Sequence, residues 1–264
     1  MNIKKRIIYL SLLLTLIFTL SACSKADNTV TSDLPKVELT ISAAASLKDS
    51  MTKIEEDFKV QHPNYTLTFN FGSSGSLMEQ IKQGAPSDIF ISAGASQMKE
   101  LDTAGFIQEN TNKNLLKNAL VLVGPKDTTL TSFSDLTTDK VTHIGVGEPK
   151  SVPAGKYADE TLTKLGIKDK VTSKLVFAKD VKEVLAWAAS SNTEVGFAYL
   201  SDATGNDTVK IIETIPEDMH SPIIYPIGVI KSSKNVDAAK VFEDYLFTDE
   251  AQKTFVDYGY SKAK

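Results

Sequence analysis

The chain has 264 residues, enough for one large domain or two small ones. It carries 33 acidic against 29 basic residues, a formal charge of −4, and its one arginine is Arg6, inside the N-terminal segment. Nucleic acid, whose phosphates are neutralised by clustered Lys and Arg, is therefore excluded as a partner. A single cysteine, Cys23, excludes any disulfide within the chain.

In chain order, Lys4, Lys5 and Arg6 form a basic start, and Ile7 to Leu20 is an apolar run interrupted by Ser11, Thr15 and Thr19. A spanning helix needs about 20 apolar residues, so residues 1–22 read as a cleavable secretory signal. The string Leu20-Ser21-Ala22-Cys23 resembles the lipobox of bacterial lipoproteins. That resemblance implies cleavage before Cys23, lipidation of its sulfur, and an extracytoplasmic chain anchored at the cell membrane. Cleavage removes three positive charges and no negative ones, taking the formal charge from −4 to −7. Residues 23–36, polar and ending near Pro35, read as the anchored cysteine followed by a flexible tether.

Beyond the tether, β-type runs alternate with amphipathic helical runs. Val37 to Ala43 predicts a strand, and Leu47, Met51, Ile54 and Phe58 fall on one helical face. Tyr65 to Phe71 alternates as a second strand, Leu77 and Ile81 mark a second helix, and Asp88 to Ser92 a third strand. Further strands are predicted at Ala119–Val123, His143–Val146, Lys174–Phe177, Glu194–Tyr199 and Pro226–Ile230. Helices are predicted at Ala154–Leu165, at Val181–Ala189, through Val241, Tyr245 and Leu246, and at Phe255. This alternation predicts an α/β fold of mainly parallel sheets flanked by helices.

The chemistry follows the strands. Ser46 stands where the first helix should begin, and Gly72-Ser73-Ser74-Gly75-Ser76 precedes the second, with Ser76-x-x-Glu79 fitting a capping box. Pro153 opens a helix from an early position, and Asp180-x-x-Glu183 fits another capping box. Ser46 or Ser74 alone reads as an ordinary cap. Four helix starts, each with free amide donors and a partial positive charge, together read as a site for a small anion built without basic side chains.

The strings AAASLKDSM, NFGSSGSLMEQIKQGAPSDIFISA, GVGEPKSVPAGKYADETLTKLG, AKDVKEVLA and EVGFAYLSDA, in this order, resemble the molybdate-binding proteins of bacterial ABC importers. The resemblance runs from about Val37 to Tyr260 and implies a periplasmic-binding-protein-like fold of two lobes, residues 37–118 plus 225–264 and residues 119–224. It implies that molybdate or tungstate is held in the cleft by Ser46 and Ser74 from one lobe and Ala154, Val181 and Tyr199 from the other. The metal is then bound as its oxyanion, with no direct cation ligand, no cofactor and no catalysis. The implied partners are a permease and its ATPase, with the receptor itself a monomer. Lys156 and Lys182, close by in sequence, read as solvated surface charges.

A fully ionised tetrahedral oxyanion presents only acceptors, which suits a wall of neutral donors; a sulfate receptor fits the same logic. A serine hydrolase would need a general base beside Ser46 or Ser74, and the local sequence offers none. Ser50-x-x-Lys53 and Ser96-x-x-Lys99 match a penicillin-binding motif without its companion strings. His62, His143 and His220 lack ligand spacing, Trp187 reads as core, and Asp88 reads as structural.

Overall fold

The computed structural model describes residues 34–263. The signal segment, Cys23 and most of the predicted tether lie outside the described residues. Among the described residues, no helix is long and apolar enough to cross a membrane.

Strands β1 (Val37–Ala44), β2 (Tyr65–Gly72) and β3 (Ile89–Ile91) are joined by helices α1 (Lys48–Gln61) and α2 (Ser74–Lys82). Helix α3 (Ala95–Thr103) follows, then β4 (Lys113–Lys117), β5 (Leu120–Pro125) and β6 (Ile144–Gly147). Helix α4 (Pro153–Lys164) leads to β7 (Leu175–Ala178), and α5 (Val181–Ala189) to β8 (Val195–Tyr199). The chain ends with β9 (Val209–Thr214), β10 (Ile224–Val229), α6 (Val236–Leu246), α7 (Asp249–Asp257) and β11 (Ser261–Lys262).

These strands form a six-stranded sheet in the order β11-β4-β10-β3-β1-β2 and a five-stranded sheet in the order β7-β6-β8-β5-β9. The α/β class matches the sequence expectation, but each sheet is mixed rather than mainly parallel. The β1–β2, β1–β3, β6–β7 and β6–β8 pairs are parallel, whereas β10 runs antiparallel to β3 and β4, and β5 runs antiparallel to β8 and β9. The physical reason is connectivity. Asn118 and Ala119 alone join β4 of the first sheet to β5 of the second, and residues 215–223 lead back from β9 to β10. Such direct crossings need no covering helix, so their strands are free to oppose the parallel set.

The predicted stripe of α1 is buried: Leu47, Met51, Ile54 and Phe58 pack with Ile41 of β1 in the core. Phe58 meets the Phe242 ring edge-on at 4.9 Å between centroids, tying α1 to α6. Val241, expected on the apolar face of α6, is exposed; Phe242 takes its place. Trp187 is half-buried rather than core. Asp88 accepts from the Thr40 amide at 2.7 Å and the Ser233 hydroxyl at 2.5 Å, pinning β3 to its neighbours.

Candidate ligand site

The parallel strands decide where a site forms. In a wound sheet the space outside the carboxyl ends of the strands collects loops and helix N-termini. Here both sheets direct those ends to one cavity, lined by Ala44 at the end of β1, Gly72 at the end of β2, Ala93 after β3, Val152 after β6, Asp180 after β7 and Tyr199 at the end of β8. The cavity volume is about 10 Å³, which suits a compact ion and not an extended solute.

Ser46, Ser74, Ala154, Val181 and Tyr199 all line this cavity, as do Ala45, Ser73 and Pro153. The local geometry differs from the sequence expectation at the two serines. Ser46 is not an N-cap: it lies within a 3₁₀ turn, Ala45–Leu47, ahead of α1, and its Oγ is 2.9 Å from Tyr225 Oη. Nor is Ser76 the cap of α2, whose N-cap is Ser73, its Oγ accepting from the Ser76 amide at 3.3 Å. The extra turn puts Ser74 in the first helical position, fully buried, where its Oγ accepts from the Ala93 amide at 2.9 Å. With that acceptor role filled, the Ser74 hydrogen is free for the cavity.

In the second half, Pro153 and Ala154 open α4, and Asp180 caps α5 by accepting from the Glu183 amide at 2.9 Å. The reciprocal bond of the expected box is displaced by one residue, since Glu183 accepts from the Lys179 amide at 2.9 Å. Asp180 is thus occupied with its own helix. Ala154 and Val181 fall in first turns, where amide N–H groups have no intrahelical acceptor. Helix α4 approaches β6 at a pair of glycines: a Cβ on Gly155 would lie 1.9 Å from the Gly147 carbonyl oxygen.

Tyr199 is 1% exposed and its hydroxyl has no hydrogen-bond partner. Burial pushes its phenol well above the ordinary tyrosine pKa, so it stays a neutral donor. A buried hydroxyl left unpaired costs stability, and Tyr199 is among the residues that line the cavity.

The two lysines part company. Lys156 lies half-exposed near Glu160, at 3.7 Å. Lys182 is not a solvated charge. Its Nζ is 2.6 Å from Asp49 of α1 and 3.1 Å from Asp202, whose side chain is fully buried. The Asp202 contact is ionic rather than an aligned hydrogen bond. Burial opposes the Lys182 charge, but Asp202 and Asp49 outweigh it and raise its pKa. Burial likewise raises the Asp202 carboxyl, against the pull of Lys182. A second contact joins the two sheets' helices next to the cavity residues Ser74 and Val152, where the Gly75 amide of α2 donates to the Ser151 carbonyl at 2.9 Å.

Tyr225 and Asn118 were not anticipated as site residues. The strand predicted from sequence at Pro226–Ile230 stops short of Tyr225, and Asn118 carries no pattern of its own. Among the described residues, no group of three or more His, Cys, Asp or Glu is placed to hold a metal cation.

Two wound sheets facing one small donor-lined cavity define a solute receptor. The chain belongs to the bacterial extracellular solute-binding proteins, whose family model matches residues 39–261, and it is a binding protein rather than an enzyme. It is 42% identical to the putative ABC transporter substrate-binding lipoprotein YvgL of Bacillus subtilis, over 94% of this chain and 95% of that one. It is 37% identical to the molybdate-binding protein ModA of Haemophilus influenzae, over 85% of this chain and 90% of that one. Among solved structures, the substrate-binding domain of a putative molybdenum ABC transporter from Clostridium difficile is 58% identical. The TM-score is 0.69, with 87% of this chain and all of that one covered.

Proposed function

We propose that this chain captures molybdate, and tungstate with it, for an ABC importer, holding the anion through Ser46, Ser74, Ala154, Val181 and Tyr199. The observation that carries this reading is the unpartnered Tyr199 hydroxyl, buried in a residue that lines a small cavity together with Ser46, Ser74, Ala154 and Val181. Neutral dipoles share the ligand charge without a buried ion pair, which leaves release to the permease possible. The names of the Haemophilus and Clostridium relatives support molybdenum as the cargo.

Residues 37–118 plus 225–264 act as one lobe and residues 119–224 as the other, hinged at the crossing segments and closing on the ligand. The lipoprotein name of the Bacillus relative supports an anchor on Cys23, after removal of residues 1–22, with residues 23–36 as tether. The receptor works as a monomer with a permease and its ATPase. Native mass spectrometry tests the cargo: one retained molybdate or tungstate per chain is expected, and retention of sulfate instead would overturn the choice of ligand.

A further inference from the structure

We infer that Asn118 and Tyr225 are positioning residues that fix Ser46 as a hydrogen-bond donor toward the cavity, and so select ligands that present only acceptors. The inference rests on the oxyanion reading of the site. The direction of each bond follows from the one before it. Asn118 Oδ1 accepts from two backbone amides, Ala119 at 2.9 Å and Ser201 at 3.4 Å, which sets the orientation of its side-chain amide. Its Nδ2 must therefore face the other way and donate, to Ser201 Oγ at 2.9 Å and to Tyr225 Oη at 3.2 Å.

Tyr225 is fully buried. Its oxygen accepts from Asn118, and its own hydrogen is directed to Ser46 Oγ at 2.9 Å, the shorter of its two hydrogen bonds. Ser46 then holds a filled acceptor and a hydrogen without a protein acceptor among the described residues, on an oxygen at the cavity wall. The backbone beneath it is pinned as well, because Tyr260 Oη donates to the Ser46 carbonyl at 2.9 Å. A ligand bearing an O–H there would meet a donor rather than an acceptor, and its own hydrogen would be left unpaired. Asn118 joins β4 to β5 and Tyr225 lies on β10, so the strands that cross between the sheets set the polarity of the site.

A double-mutant cycle read by molybdate calorimetry on the mature chain tests the relay, using wild type, Tyr225→Phe, Ser46→Ala and the double variant. Tyr225→Phe should weaken binding roughly five- to twentyfold when Ser46 is present. In the Ser46→Ala background it should cost less than about twofold, because no hydroxyl remains to orient. Equal losses in both backgrounds would overturn the relay and leave Tyr225 a packing residue. A second cycle with Asn118→Asp guards against misfolding of the first variant. The carboxylate keeps the oxygen that caps the two amides but replaces the donor with an acceptor, which turns the Tyr225 hydrogen away from Ser46. Its loss should be several times larger with Ser46 present than absent, where only the added charge acts; equal losses again overturn the relay. Tight wild-type binding with additive cycles sinks the relay alone, whereas no molybdate binding by wild type sinks the functional reading beneath it.

Discussion

Lys182 Nζ stands 2.6 Å from Asp49 Oδ2, a contact between α5 on one sheet and α1 on the other, beside the Val181 amide at the cavity wall. One end is exposed at Asp49, and the other is anchored 3.1 Å from the buried Asp202.

The two carboxylates should therefore respond differently to mutation. Asp49→Asn removes a largely exposed partner and should cost about 0.2–1 kcal/mol of ligand affinity, shrinking further at high salt. Lys182→Met strands Asp202 in the interior. It should lower the melting temperature clearly more than Asp49→Asn, since breaking a buried pair costs about 3–5 kcal/mol before allowance for its partial exposure. Thermal melts of both variants check this, and equal small effects would show that Asp202 is protonated and indifferent to Lys182.

The Gly75–Ser151 contact makes a steric prediction. A Cβ on Gly75 would lie 2.6 Å from the Ser151 carbonyl oxygen, a backbone atom that cannot step aside alone. Within α2, alanine is favoured over glycine by about 1 kcal/mol, so the helix itself should tolerate it. Gly75→Ala should weaken molybdate binding about tenfold or more and reduce the ligand-induced compaction seen by small-angle scattering. Unchanged affinity and compaction would show that the halves need not meet at Ser151.

Tyr199→Phe should separate function from stability. Losing one hydrogen bond to a charged ligand should cost roughly 1.5–3 kcal/mol of binding. The ligand-free protein should be no less stable, because the hydroxyl has no partner to lose. Calorimetry and melting of the same sample check both halves, and a destabilised variant with normal affinity would remove Tyr199 from the ligand set.

Glu194 gives a pH test away from the cavity. Burial raises its pKa, but the His143 amide at 2.7 Å and the Thr142 amide and hydroxyl, each at 3.0 Å, outweigh that and hold it below its ordinary value of 4.5. A folded pKa below the unfolded one contributes stability above the unfolded value, and that contribution is lost as pH falls through the folded value. Glu194→Gln should melt below wild type at pH 7, with the gap closing as pH falls below 4.5 and through the lowered folded pKa. A gap independent of pH would point to geometry rather than charge.

How much of this was legible depended on range. Helix α5 was readable to the residue, because Asp180 caps it locally and an apolar period follows. Strand β4, with sequence KNLLK, and β9, where only Val209 is buried, carry too little local signal and are held by neighbours from distant parts of the chain. At the site, helix starts are local and were visible, although α2 began earlier than its best-looking box because Ser73 caps it instead. Lys182 was misjudged because Asp49 is 133 residues away, and the role of Tyr225 depends on a serine 179 residues distant. No spacing rule reaches that far.

The central claim is that the cavity selects a fully ionised tetrahedral oxyanion, and hydrogen phosphate is the sharpest comparison. At pH 7.5 it matches molybdate in charge and shape class but carries one O–H, and with Ser46, Ser74 and Tyr199 all donating to the anion that hydrogen is left without an acceptor. Calorimetric titration of the mature protein with each anion, under the same buffer and salt, measures the difference directly. Molybdate should saturate at one per chain, and hydrogen phosphate should bind at least about 100-fold more weakly. Comparable affinities for the two, or no heat with molybdate, would contradict the account.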